Sequence, residues 1–217
     1  MDKRFSEVKI LIWDFDGTFY KPNPELFSAV RQAEYKTIML HTGWTYDATV
    51  IKFTENYKKV SPSATETVGL LAGLSTTEAA LDMENYYDRR KFLRRDDKLI
   101  DLMQKLSGYR HFILANGVRR RLEETLAVLG LNKNIFEEIV TSETTGVNKP
   151  HEAGFKYILE KTKLPPEDHL MIGDREQVDL VPAKKLGIKT CLVWSEQASA
   201  VADITLPEVY KVASLLT

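Results

Sequence analysis

The pattern of apolar and polar positions changes period twice along the chain. Residues 8–13 (VKILIW) form a short, β-branched apolar run that stops abruptly at Asp14-Phe15-Asp16-Gly17-Thr18. A brief, nearly continuous apolar run predicts a strand covered on both faces, as in a parallel sheet. From about residue 24 to residue 107 the apolar positions recur at helical spacing instead. They fall at Leu26, Phe27, Val30 and Ala33, then at Val50, Phe53 and Tyr57, then at Leu81, Tyr86 and Tyr87, and finally at Leu99, Leu102, Met103 and Leu106. Pro22, Pro24, Pro62, Gly69 and Gly73 punctuate this stretch. Thr76-Thr77-Glu78-Ala79 reads as a helix start and Gly108 as a stop. No strand is predicted here.

From Tyr109 onward strand and helix alternate. Strands are predicted at residues 111–115, 138–141, 169–172 and 188–194. Helices are predicted at 118–129 and 178–186, stopped by Gly130 and Gly187, at 152–161, and near 207–216. Such alternation with short connections requires parallel pairing through right-handed crossovers. The first strand belongs with this set. The fold class is therefore α/β, with a Rossmann-like three-layer parallel-sheet core formed by residues 1–20 and 97–217. A mostly helical domain, residues 21–96, is inserted after the first strand.

Composition narrows the function classes. At 217 residues and 43% apolar, the chain suits one large domain, or one domain with an insertion, around a real core. Lys+Arg 30 against Asp+Glu 31 supplies no global attraction to nucleic acid or to an anionic membrane surface. No apolar run approaches the roughly 18–20 residues of a membrane span, and the first residues carry no apolar leader segment. One cysteine, Cys191, forms no internal disulfide and builds no cysteine-based zinc site. This usage predicts a reducing, cytoplasmic setting. The four histidines are scattered, with no pair at metal-ligand spacing.

In open parallel sheets ligands bind beyond the carboxyl ends of the strands. Asp14 and Asp16 follow the first strand, and Asn116 and Gly117 the second. Asn148-Lys149-Pro150 precedes a helix, and Gly173-Asp174 follows the 169–172 strand with Asp179 five residues on. Acidic, amide and lysine groups thus converge on one sheet edge. Two like charges about 4 Å apart repel by roughly 4 kcal/mol at an effective dielectric near 20. A hard divalent cation with oxygen ligands, such as Mg²⁺, relieves that repulsion. Lys149 adds a positive charge suited to a phosphate or a developing anion. Asp14 and Asp16, two apart, point the same way in extended backbone. One can attack while the other moves a proton, and carboxylate nucleophiles forming aspartyl phosphates are an established form of covalent catalysis. Gly17 permits a tight exit from the strand.

These residues resemble the haloacid-dehalogenase-like hydrolase superfamily over essentially the whole chain. Asp14-Phe15-Asp16-Gly17-Thr18 looks like its first motif, and the strand ending in Ala115-Asn116-Gly117 sits where its second belongs. Val147-Asn148-Lys149-Pro150 looks like the lysine-bearing third, and Gly173-Asp174 through Asp179 like the fourth. The helical insertion is placed like the family's cap. The resemblance implies that Asp14 is the nucleophile and Asp16 the general acid and base. It implies that Lys149 steadies Asp14 and the transferring phosphoryl. Mg²⁺ would be held by Asp174, Asp14 and the Asp16 backbone carbonyl, with Asp179 in support. The second aspartate favours phosphoryl transfer over dehalogenation, since dehalogenating relatives lack it. The expected partner is a small phosphorylated metabolite, a nucleotide or sugar phosphate.

One position departs from the family pattern. Ala115 stands where the second motif usually presents a Ser or Thr hydroxyl to the phosphate. Losing one such donor costs on the order of 10²–10³ in rate. Asn116, Gly117 and the following helix N-terminus, with Lys149, are left to hold the phosphate. Two alternatives to hydrolysis stay open. One is a phosphomutase or phosphotransferase on the same scaffold, for which no water-excluding groups stand out. The other is a weakly active or non-catalytic phosphate-binding relative, for which Ala115 is the only support. The aromatics Trp44, Tyr46, Phe53, Tyr57, Tyr86 and Tyr87 are expected to pack the cap. The basic clusters Arg89-Arg90-Lys91, Arg94-Arg95 and Arg119-Arg120-Arg121 are expected to be solvated helix faces. Trp13 and Phe15 are assigned to packing.

Overall fold

The computed structural model describes residues 2–21, 23–60 and 63–216, so Pro22 and Pro62 lie outside the described residues. Six strands form one fully parallel sheet: β1 (Ile10–Trp13), β2 (Arg110–Leu114), β3 (Phe136–Val140), β4 (His169–Gly173), β5 (Lys189–Val193) and β6 (Ile204–Leu206). Their order is β3-β2-β1-β4-β5-β6. β1 is central, with Trp13 in register with Ile113 on one side and Ile172 on the other. The strand order reverses at β1, and this is where an open parallel sheet forms its ligand crevice.

The two faces of the sheet explain the continuous apolar runs. Leu11, Trp13, Ile113, Leu170 and Ile172 point to one side. There they meet Leu99, Leu102 and Met103 of α5 (Asp97–Lys105) and Leu122, Leu126 and Leu129 of α6 (Arg119–Leu129). Ile10, Ile12, Phe112, Leu114 and Met171 point to the other, against Phe155 and Ile158 of α8 (Ala153–Thr162). Each strand residue alternates between two buried layers, which is the three-layer arrangement expected from the pattern. Trp13 and Phe15 are fully buried, as assigned. His111 is buried with both ring nitrogens occupied: Nδ1 accepts from the Trp13 indole N–H at 3.1 Å, and Nε2 donates to Leu106 O at 3.0 Å.

Between β1 and α5 the described residues form the α-helices α1 (Pro24–Thr42), α2 (Tyr46–Val60), α3 (Ala64–Ala72) and α4 (Thr76–Met83). Short polar residues start three of them. Asn23 accepts from Leu26 N at 2.8 Å, Ser63 caps α3, and Ser75 with Glu78 forms a reciprocal capping box on α4. The helices pack around their own small core of Ala33, Ile38, Phe53, Val68, Ala79 and Met83. No strand lies in this stretch among the described residues. No helix among the described residues is long and apolar enough to cross a membrane.

The structure differs from the sequence reading in three places. β6 was not expected, because three edge residues, Leu206 alone of them buried, carry too little apolar pattern. The single helix expected at 178–186 is split into a π-turn, Glu176–Leu180, and α9 (Val181–Lys185). Pro182 sits in the first turn of α9, where its missing N–H is harmless. The last helix is reduced to a 3₁₀ turn, Val209–Lys211, and one helical turn, α10 (Ala213–Leu216).

Candidate active site

The groups expected at the strand ends meet. Asp14 follows β1, donates its backbone N–H to Ile172 O at 2.9 Å, and is 2% exposed. Lys149 arrives from the loop after α7 (Ser142–Thr145) and is equally buried. Its Nζ donates to Asp14 Oδ1 at 2.6 Å and to Asp179 Oδ1 at 2.7 Å. The Thr18 hydroxyl donates to the other Asp14 oxygen at 3.0 Å. Asp179 Oδ2 accepts the Arg175 backbone N–H at 3.1 Å. The π-turn aids this arrangement. One extra residue in the turn fits the five-residue spacing from Asp174 to Asp179 and brings Asp179 back to Lys149. Asn116 bonds the Lys149 backbone in both directions, donating to its O and accepting from its N, each at 2.8 Å. Its side chain therefore fixes the loop that carries the lysine.

Asp174 completes the cluster. Carboxylate oxygens of Asp14, Asp174 and Asp179 all lie within 4.8 Å of one another. Gly17 makes this approach possible. It holds a left-handed φ of +91°, and a Cβ there would collide with the Asp174 carboxylate. Three carboxylates face two cations, Lys149 and Arg175, so one negative charge is in excess. The proton affinities follow this imbalance. Burial pushes the Asp14 carboxyl up, but Lys149 and Arg175 outweigh it and hold it below its ordinary value. Burial alone would lower Lys149, yet Asp14 and Asp179 keep it firmly protonated. Asp174 takes the strain: burial, then the charges of Asp14 and Asp179, push it up to about 8. Its buried Oδ1 has no hydrogen-bond partner. An orphaned carboxylate oxygen in an all-oxygen cluster with excess negative charge fits a hard divalent cation.

Asp16 stands apart from this cluster. Its carboxylate is nearly half exposed and accepts from the Tyr20 hydroxyl. Arg89 Nη1 donates to both of its oxygens, at 3.0 and 3.1 Å. Arg89 is only 4% exposed, and this corrects the expectation of a solvated face. Its Nη2 donates to Glu84 at 2.6 Å and meets the Tyr87 hydroxyl at 2.7 Å. Sequence reasoning missed Arg89 because nothing nearby in the chain distinguishes it from Arg90. It also gave no role to Arg175, although Arg175 adjoins Asp174, nor to Thr18. Of the other basic clusters, Arg120 and Arg121 pair with Glu124, each at 3.0 Å, while Arg94 and Arg95 precede α5 and lie on no helix.

A cavity of about 270 Å³ lies between the helical insertion and the strand ends. Asp16, Asn116, Gly117, Asp174 and Arg175 line its core side; Leu26, Val30, Arg31, Glu34, Tyr57 and Arg89 are among those lining the other. Of the insertion's aromatics, Phe53 is core, Tyr57 and Tyr87 face the cavity, and Tyr46 and Tyr86 are exposed. Burial pushes Glu34 up to about 7 despite the opposing charge of Arg31. Arg31 Nη1 lies 2.7 Å from Glu34 Oε2, but the alignment is not that of a hydrogen bond, and this oxygen lacks one. Ala115 is buried at the end of β2, with no side-chain donor.

A sequence model of haloacid dehalogenase-like hydrolases matches residues 8–187. The chain belongs to that family. It is similar to the glyceraldehyde 3-phosphate phosphatase of Methanothermobacter thermautotrophicus. Identity is 33% over 129 residues, 57% of this chain and 56% of that one. The chain thus spans about half the length of that relative, and 37% of its Methanocaldococcus jannaschii counterpart. The pyrophosphatase PpaX of Bacillus thuringiensis is similar over nearly the full length, 23% identical across 93% of this chain and 91% of that one. Of solved structures, a HAD phosphatase from Thermococcus onnurineus shares the fold at a TM-score of 0.68. It is 20% identical and covers 96% of this chain and 97% of its own. A 2-haloacid dehalogenase from Pseudomonas syringae also shares the fold, at a TM-score of 0.61 and 16% identity over 96% of this chain and 97% of its own, so the fold leaves the bond that is cleaved to the site residues.

Proposed function

We propose that this protein is a Mg²⁺-dependent phosphomonoester hydrolase acting on a small phosphorylated metabolite through an aspartyl-phosphate on Asp14. The observation that carries the reading is the buried Lys149 ammonium, bonded at once to Asp14 and Asp179 beside Asp174. A lysine so placed keeps Asp14 an anion, ready to attack, and offers its charge to the phosphoryl oxygens as they approach. Asp14 forms a bond to phosphorus while the ester P–O bond breaks. Asp16, having taken up a proton as the anionic substrate binds, gives it to the departing oxygen. Asp16, now a carboxylate, takes a proton from water, and the water oxygen displaces phosphate from Asp14. The relatives' printed activities, on glyceraldehyde 3-phosphate and as a pyrophosphatase, support phosphate chemistry over carbon–halogen cleavage, as does the presence of Asp16.

Asp14, Asp174 and the Asp16 backbone carbonyl would hold the Mg²⁺, with Asp179 supporting through Lys149 and the loop. When bound, the ion neutralises charge on the phosphoryl oxygens. In this reading Asn116 orders the Lys149 loop, and Gly117 leaves room for the phosphate beside Arg89. Residues 21–96 act as a cap over the core of 1–20 and 97–217, and the cavity receives the leaving group.

Phosphate release in Mg²⁺ tests the reading, with p-nitrophenyl phosphate and a panel including glyceraldehyde 3-phosphate, pyrophosphate, nucleotides and sugar phosphates. Turnover is expected, and Asp14→Asn should lower it by about 10⁴-fold or more. Clean protein with no turnover on any member, or Asp14→Asn with wild-type rates, would defeat the proposal.

A further inference from the structure

The contact between Asp16 and Arg89 joins a strand-end carboxylate to a residue of the inserted segment 73 positions away in sequence. The cation lies behind the anion. Arg89 is 4% exposed, whereas the Asp16 side chain is 46% exposed and lines the cavity. Both Asp16 oxygens are engaged, Oδ1 by Tyr20 and Arg89 and Oδ2 by Arg89. Arg89 is gripped from its far side by Glu84 and the Tyr87 hydroxyl. Glu84 in turn lies 3.8 Å from Arg121 of α6. A guanidinium held this way has little freedom to follow its partner, so the carboxylate must sit where Arg89 puts it.

Building on the hydrolase reading above, we propose that Arg89 is the positioning residue for leaving-group protonation. It fixes the direction from which Asp16 meets the substrate's bridging oxygen. Arg89, Glu84 and Tyr87 all belong to the inserted segment, so Asp16 is correctly aimed only when that segment is seated on the core. Asp14, Lys149 and Asp179 need no such help, since their mutual bonds lie wholly within the core. Arg89 therefore acts on the proton transfers made by Asp16, and not on the attack by Asp14.

A matched pair of substrates separates these roles. Phenyl phosphate releases a basic phenoxide, whose conjugate acid, like tyrosine, ionises near pH 10, and so depends on protonation. p-Nitrophenyl phosphate has nearly the same shape but a leaving group that departs without a proton. A general acid contributes roughly 10²–10⁴-fold where it is needed. The readout is kcat/KM, which covers the steps through leaving-group departure. In Arg89→Met the ratio of kcat/KM for phenyl phosphate to that for p-nitrophenyl phosphate should fall by about 10²-fold. Arg89→Lys keeps the charge but cannot reach Asp16, Glu84 and Tyr87 together, and should lower the ratio by about 10-fold. Asp16→Asn should lower it by at least as much as Arg89→Met. Adding Arg89→Met to Asp16→Asn should change it no further, because the two act through one group.

Equal losses on both substrates, or an additive double variant, would show a merely structural role and overturn the inference. So would wild-type ratios in both Arg89 variants. Should Arg89→Met fail to fold, as its melting curve would reveal, Arg89→Lys and Tyr87→Phe carry the same test. If wild-type protein turns over neither aryl phosphate nor any metabolite, the hydrolase reading itself has failed. A changed Arg89 ratio is then not at issue.

Discussion

Two parts of the site are built differently: a buried floor, of which only Asp174 reaches the cavity, and the cavity's wall. The floor is Asp14, Lys149, Asp174 and Asp179, each placed by a strand end or by a turn close to one. The wall is Asp16, Arg89, Glu84 and Tyr87, in which a core carboxylate is held by side chains from an insertion. Floor groups are bonded to one another inside the core and carry an uncompensated negative charge. Wall groups pair the core carboxylate Asp16 with Arg89 of the insertion, beside Tyr87, which packs against both the main apolar cluster and that of the insertion. The difference teaches that the buried charge cluster is fixed by the sheet, whereas the position of Asp16 depends on how the insertion sits; on the proposed reading these would be ion and phosphate binding and proton aiming.

Removing the floor's lysine should have the largest effect. Lys149→Met leaves Asp14 and Asp179 buried without their ammonium, and Arg175 the cation remaining beside the cluster. Breaking a buried pair in this way costs about 3–5 kcal/mol, and losing the charge beside the transferring group costs roughly 10²–10³ in kcat. Urea unfolding and phosphate release should show both losses together. A variant that keeps full stability would mean that the floor is not an electrostatic unit, and the contrast with the wall would collapse.

Magnesium and pH probe the same excess charge without mutation. Asp174 is raised from an ordinary 3.8 to about 8 in the folded protein. Its proton is therefore bound more tightly folded than unfolded. The resulting stability is fully present below about pH 4 and is lost as pH rises through 8. Metal-free protein should have a lower Tm at pH 9 than at pH 6. Mg²⁺ replaces the proton as the source of positive charge, so its stabilising shift should grow over the same interval. At a concentration 100 times Kd the shift corresponds to about 2.7 kcal/mol. A Mg²⁺ shift that shrinks as pH rises from 6 to 9 would put the cation somewhere other than Asp174.

Floor and wall also differ in how far the sequence revealed them. Asp14, Asp174 and Asp179 were legible because an apolar run buried on both faces must end somewhere, and polar groups at that point can only line its edge. Lys149 was legible as a charge in the right loop, though not as a buried one. Arg89 was not, since its role comes from Asp16 and Gly117, residues that only the packing of the insertion brings near. The split at 176–185 escaped for a related reason. A π-turn has no apolar period of its own, and its use becomes plain only once Asp179 is seen against Lys149. β6 was hidden by its length and its edge position.

The smallest effect is expected at Glu34, on the insertion side of the cavity. Burial raises it from 4.5 to about 7, with Arg31 only partly opposing. It adds a second loss of stability with rising pH, complete above about pH 7, and Mg²⁺ should not reverse this part. Glu34→Gln removes the titration and leaves that side chain uncharged at every pH. Arg31 keeps its stacking over the Phe53 ring, 4.7 Å from the centroid. The unfolding free energy of the variant should therefore gain on wild type between pH 5 and pH 8, by at most about 2.5 kcal/mol. Its KM should shift by less than about threefold, with kcat unmoved, since Glu34 touches neither Asp14 nor Asp16. If kcat falls tenfold instead, the wall reaches deeper into the chemistry than proton aiming through Arg89. The division between a self-contained floor and an adjustable wall would then have to be redrawn around α1.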